Sequence, residues 1–182
     1  MSLNISSFNV IDVYLNIFIA GTDTSAFVIT WAMTALIKAP TAMKKAHVEV
    51  RNLVGNRGAV NDDDIQNLPY LKALIKETMR LFPPAPLLVP RDTIEKCTLN
   101  GFEIQSETTV FVNVWAIGRD PEYWENASEF LPEIFLDSGI DYRGQDFGLI
   151  LFGSGRRGCP DVLPGIAMHK KNALRLVAKS YI

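Results

Sequence analysis

Cysteine is almost missing from this chain: two residues in 182, Cys97 and Cys159. That is too few for a disulfide scaffold, so a reducing compartment is the expected setting. An excess of either charge is missing too, and a net charge of −2 gives no reason to expect nucleic acid as the main partner. No basic residue precedes Lys38, which leaves out the positive leader of a signal peptide. Long uninterrupted apolar runs are also lacking. The first forty residues are apolar, yet Asp12, Asn16 and Asp23 break them up, and an unpaired aspartate near a bilayer centre costs roughly 2.5–3.5 kcal/mol. Neither a targeting segment nor an anchor is expected. Repeats and low-complexity tracts are absent. What is present is 48% hydrophobic and 21% charged residues, the composition of a globular domain long enough to bury a core.

The organisation follows from periodicity. From Val10 to about Lys38 the positions Val10, Val13, Tyr14, Ile17, Phe18 and Gly21 recur at helical spacing, and because the other face is also mostly apolar this helix is expected to be buried on most sides. Pro40 opens a second helix that Gly55 ends. The acidic run Asn61–Asp64 reads as a solvated turn and helix cap. A third helix runs from about Asn67 to Phe82 and is stopped by "PPAP" (Pro83–Pro86). The period then changes. Asn100-Gly101 lies between alternating flanks (Cys97–Ile104), a hairpin signal because both residues tolerate positive φ, and Thr108–Val114 reads as another strand. Residues 115–145 should be short helices joined by irregular coil, and 160–182 helical. Helices around a small antiparallel sheet give an α+β reading, mainly α-helical.

Three stretches carry chemistry. "LFGSGRRGCPD" (Leu151–Asp161) contains Gly153, Gly155 and Gly158 in a literal G-x-G-x-x-G. A dinucleotide site needs a βαβ unit of about 30 residues and an acid about 20 residues on, and neither follows here. A thiolate site fits better. Glycines let the backbone approach a flat ligand, Arg157 offers a fork suited to a carboxylate, and Cys159 precedes a helix whose N-terminus lowers a thiol's pKa. With no companion His or Cys nearby, structural zinc is disfavoured, whereas an iron whose other positions belong to a macrocycle is suited. A buried structural cysteine beside an ordinary turn stays open. The second stretch, "KETMR", places Glu77 and Arg80 on one helix face, as a functional pair or as an exposed one of little weight. The third, "AGTDTS" (Ala20–Ser25), inserts Thr22, Asp23, Thr24 and Ser25 into an apolar helix. Hydroxyls bonding back to the previous turn tend to bend a helix, which would make room for a small ligand; a helix end is the alternative.

Together these motifs resemble the cytochrome P-450 haem-thiolate monooxygenases. "AGTDTS" is similar to that family's oxygen-binding helix, "ETMR" to its Glu-x-x-Arg helix and "FGSGRRGC" to its cysteine loop. "NLPYLKALIKETMRLFPPAPLLVPR" and "VFVNVWAIGRDPEYWENASEFLPE" resemble plant microsomal members that oxidise specialised metabolites. The resemblance runs from about residue 10 to 168. It implies a single partial domain over residues 1–182, the C-terminal part of the family fold, with a small antiparallel sheet and a cysteine-loop haem site. By the same resemblance Cys159 would ligate the iron of haem b, Arg157 and Arg91 would pair with its propionates, and Phe152 and Gly153 would line it. Asp23 and Thr24 would deliver protons to the reacting oxygen, and Glu77 and Arg80 would form a structural lock. The implied reaction is reductive activation of dioxygen and oxygen insertion into a C–H bond of a lipophilic substrate. Electrons would come from NADPH through a reductase docking on the cysteine side, where Arg156, Lys170 and Lys171 would supply positive charge; a solvated basic surface is the alternative. The family's place is the endoplasmic reticulum membrane; without the anchor, this chain is expected in the cytosol or misfolded.

The departures matter equally. The family's meander arginine is Ile134 here, which is expected to leave the Glu77–Arg80 network half satisfied. Asp161 replaces a glycine beside the macrocycle, Leu151 replaces a proline, and Pro164 interrupts the helix after the cysteine at a cost of about 3 kcal/mol. Beyond Met168 the likeness fades. The chain is therefore expected to be incompetent alone; the alternatives are a working monooxygenase and a helical interaction module without stable haem. The pocket residues Ala26, Pro86, Leu87 and Leu88 are compatible with almost any lipophilic molecule.

Overall fold

The computed structural model describes residues 7–154. Helix α1 spans Ser7–Lys38 and α2 spans Pro40–Val54. Pro40 is pre-set for a first helical turn, while Gly55 closes α2 at φ 54, a left-handed value that glycine adopts without penalty. A 3-10 turn over Asp62–Asn67 follows. Its capping box joins Asn61 and Asp64, and Asp64 is buried rather than solvated as the sequence implied. The Asn61 N–H, then the Arg57 guanidinium at 3.1 Å, hold the Asp64 carboxyl below its usual range.

Helix α3 spans Pro69–Leu81. Leu68, at its N-cap, has no side chain that can accept a hydrogen bond. Glu49 of α2 does so instead, accepting the N–H groups of Tyr70 and Leu71 at 2.7 and 2.9 Å, which satisfies two orphan donors from another helix. α3 ends where Pro83 approaches, since the residue before a proline is pushed out of the helical region: Phe82 has φ −127 and ψ 69.

The strands are short. β1 (Arg91–Asp92) pairs with β4 (Thr109–Val110), and β2 (Cys97–Leu99) with β3 (Phe102–Ile104), both antiparallel. The second pair is the expected hairpin, with Asn100 at φ 48 and Gly101 at φ 84. The expected strand over Thr108–Val114 stops at Val110. Beyond it the backbone turns to the proline segment, Val112 N–H bonding Leu87 O and Trp115 N–H bonding Pro86 O. Asn113 caps the short helix α4 (Val114–Ile117) by accepting from Ala116 N–H. A 3-10 turn over Pro132–Phe135 lies against α3.

One buried cluster gathers Ala73, Met79, Trp124, Phe135, Leu149 and Leu151, and a second gathers Leu36, Ala42, Ala46, Tyr70 and Leu74. Both are built around α3. α1 joins them through its last turns, and Trp31 stacks on Phe82 with ring centroids 4.3 Å apart. The rest of α1 corrects the expectation of a helix buried on most sides: Phe18, Ile29 and Ile37 are 68, 64 and 71% exposed. Among the described residues, α2 and α3 are the helices packed against it, and they cover one face near its end. No single helix among the described residues is long and apolar enough to cross a membrane.

Candidate functional site

Among the described residues the most completely buried charged groups are the pair on α3. Glu77 and Arg80 are 0 and 1% exposed. Arg80 Nε donates to Glu77 Oε2 at 2.6 Å and Nη2 to Oε1 at 2.7 Å, the forked geometry that makes such pairs strong. The remaining guanidinium hydrogens go to main chain: Nη1 to the carbonyls of Gly118 and Ala127, and Nη2 to that of Glu129. Glu77 Oε1 also accepts the Leu131 N–H at 2.8 Å. Burial pushes the Glu77 carboxyl above its usual range, against the pull of Arg80 and of the Leu131 N–H. All five guanidinium N–H groups are thus used, and the Trp124 ring lies 5.1 Å from the guanidinium carbon.

This corrects the expectation attached to Ile134. The network is not half satisfied, because carbonyls of residues 118–129 stand where a third side chain was expected. Ile134 instead packs against the cluster of Met79, Trp124 and Phe135, where an apolar side chain needs no polar partner. The approach of α4 depends on Gly118: a Cβ there would lie 2.5 Å from the Arg80 carbonyl oxygen.

A second anchorage lies at the other end of α3. Glu133 accepts from Lys45 Nζ at 2.6 Å and from the Tyr70 hydroxyl at 3.0 Å. Burial, then the hydrogen bond to Glu133, push the Tyr70 phenol up to about 12. Neither Glu49 nor Glu133 stood out in the sequence. Their partners lie 21 to 88 residues away, and no local pattern marks them.

The glycine loop enters the described residues only as far as Ser154. Leu149, Ile150 and Leu151 are buried and Phe152 is exposed, its ring edge-on to Tyr142 at 5.8 Å. Gly153 has φ 84, and a Cβ on it would lie 3.1 Å from a terminal nitrogen of Arg91. The fold therefore brings Arg91, at the start of β1, against the loop residue Gly153. Arg91 is partly buried, and its guanidinium makes no hydrogen bond or ion pair among the described residues. Cys159, Arg157, Arg156, Asp161, Pro164, Lys170 and Lys171 lie outside the described residues.

Asp23 and Thr24 sit on an exposed part of α1. The hydroxyls of Thr22, Thr24 and Ser25 donate to the carbonyls of Phe18, Ala20 and Gly21 at 2.6–2.8 Å. The helix runs through "AGTDTS" as one element rather than ending there. Among the described residues no hydrogen bond links Asp23 or Thr24 to Arg91, Phe152 or Gly153.

The family model for cytochrome P450 matches residues 4–160. The chain belongs to the cytochrome P450 family. It is 50% identical over 167 residues to cytochrome P450 71A1 of Persea americana, covering 92% of this chain and 33% of that protein. It is 48% identical over 154 residues to a 7-ethoxycoumarin O-deethylase of Helianthus tuberosus, covering 85% and 31%. Among solved structures, a zebrafish cytochrome P450 with progesterone superposes with a TM-score of 0.74 at 30% identity, covering 87% of this chain and 36% of that one. This cytochrome P450 chain thus spans about a third of the length of the relatives it matches. Family membership implies a haem iron held by a cysteine thiolate. A partly buried cation without an anion among the described residues, beside a glycine whose missing Cβ leaves the approach open, fits a flat group bearing carboxylates.

Proposed function

We propose that residues 1–182 form the haem-facing part of a plant haem-thiolate monooxygenase domain that oxidises a lipophilic specialised metabolite. On its own, the chain does not hold haem productively. The single observation that carries the cofactor reading is the Arg91 guanidinium against Gly153 with its charge unpaired among the described residues. Arg91 and Arg157 would bind the propionates, Phe152 and Gly153 would pack on the macrocycle, and Cys159 would supply the thiolate. When bound, the haem supplies dioxygen activation and oxygen insertion into a C–H bond. Asp23 and the Thr24 hydroxyl would hold and pass the protons that reaction needs. Glu77 and Arg80 keep residues 118–131 in register with α3 and take no part in the chemistry. Electrons would come from an NADPH-dependent reductase.

The incompetence of the isolated chain is supported by the open apolar face of α1, which carries "AGTDTS". A ligand pocket buries most of its occupant and excludes water, and a solvated helix face supplies only one wall. By the family resemblance, Asp161 and Pro164 would add crowding and a helix break beside the thiolate.

The test is spectroscopic. The chain is expressed, supplied with haemin, reduced under carbon monoxide and scanned in the visible range. The expected result is no red-shifted Soret band of thiolate type. That band, present and then abolished by Cys159→Ser, would overturn the claim of incompetence while supporting the ligand assignment. If a longer chain covering the relatives' full length shows the band and Arg91→Ala leaves its haem affinity unchanged, the propionate role is wrong.

A further inference from the structure

Away from the candidate site, the elbow where α1 and α2 meet, bent by 115°, borders an open cleft of about 420 Å³, within the range of small-molecule sites. Its floor is apolar: Leu36, Ile37, Met43 and Val48. Ile37 and Val48 are exposed there, so an occupant would remove apolar surface from water. Its rim carries two cations and an imidazole. Lys44, His47 and Arg51 line it, and their spacing of three and four residues puts them on one face of α2.

The side chains of these three make no hydrogen bond or ion pair among the described residues. The other charges of α2 are already engaged on the opposite side. Lys45 is held by Glu133, and Glu49, the helix's single acid, is held by the N-terminus of α3. No carboxylate of α2 is left to neutralise the rim.

We propose that this elbow binds an anionic amphiphile, a single acyl chain with a carboxylate head, the chain lying on Leu36, Ile37, Met43 and Val48 and the head pairing with Lys44 and Arg51. The concave shape favours one chain over a bilayer, which meets a protein through protruding apolar groups. The size favours it over a protein partner. A stable complex needs about 800 Å² a side, more than the eight residues lining this cleft present. The proposal does not depend on the monooxygenase reading.

The full chain is titrated by calorimetry with dodecanoate below its micellar concentration. Saturable one-to-one binding is expected, weakened at least tenfold by Lys44→Glu combined with Arg51→Glu and unchanged by Lys96→Glu, a lysine paired elsewhere with Glu103. If the double reversal alters the circular dichroism spectrum, Lys44→Gln with Arg51→Gln replaces it, with at least a threefold loss expected. A photoactivatable dodecanoate should label residues 36–51. The proposal is overturned by equal affinity for dodecyltrimethylammonium, by labelling of α1 ahead of residue 30, or by binding of phosphatidylglycerol vesicles without binding of free dodecanoate. Binding of polyglutamate in its place, with the same sensitivity to charge reversal, also overturns it.

Discussion

Helices α1 and α3 lie against each other and are finished to opposite degrees. α3 is enclosed: its apolar residues anchor both core clusters, and its one charged pair has every hydrogen matched to an acceptor. α1 is covered toward its last turns, while its Tyr14, Phe18 and Ile29 face water. Local sequence does not account for the difference, since both helices are apolar enough to be buried. Their neighbours do. α3 is packed by the last turns of α1, by α2 and by residues as far along as Leu151. α1 finds α2, α3 and little else. Among the described residues packing is therefore concentrated around a polar lock, while the exposed apolar face of α1 contributes little to stability and invites self-association.

The strongest way to break this contrast is Arg80→Ala. It strands Glu77 and three main-chain carbonyls in a dry interior, and removing one partner of a buried pair costs about 3–5 kcal/mol. Urea denaturation followed by circular dichroism should show loss of the cooperative transition; a shift no larger than that of a surface mutant would mean the lock is not what holds α3. Gly118→Ala is next. The added methyl must displace the Arg80 carbonyl, and overpacking of this kind costs about 1–3 kcal/mol, read as a lower midpoint in the same experiment. On α1, Phe18→Ser with Ile29→Glu should leave stability within about 0.5 kcal/mol but reduce self-association in light scattering. A large destabilisation would show that this face is covered after all.

The smallest effect concerns pH. The Tyr70 phenol titrates near 10 when unfolded and is pushed up to about 12 in the fold. Between those values the folded chain binds more protons than the unfolded one, so stability is fully present below pH 10 and falls as pH rises toward 12. Tyr70→Phe should flatten that alkaline limb of the stability–pH curve, and an unchanged limb would count against the Glu133 contact.

Element positions were largely legible because they rest on local chemistry. Pro40 and Gly55 bound α2, "PPAP" stops α3, and Asn100-Gly101 makes the hairpin, each through backbone preferences that act within a few residues. The strand over Thr108–Val114 was overread for the same reason: its β-branched residues suit a strand, but β1 offers two residues to pair with, and Asn113 caps a helix. Glu77 and Arg80 were visible as a pair through their spacing, whereas the acceptors at Gly118, Ala127 and Glu129 were not, because a carbonyl has no sequence signature. Glu49 was missed because it caps a helix 21 residues away. Of the candidate site itself, Arg91 and Gly153 meet, Asp23 and Thr24 stand apart on α1, and the cysteine lies outside the described residues.

Because Arg80 grips peptide oxygens, its hold is blind, Trp124 apart, to which side chains follow residue 118. Drift at positions 127, 129 or 134 passes unnoticed so long as the path of the backbone is kept. The change it would not forgive is one of length: a residue gained or lost between α4 and Leu131 would shift each oxygen out of reach, and the helix would lose its tether without a single charged residue having been altered.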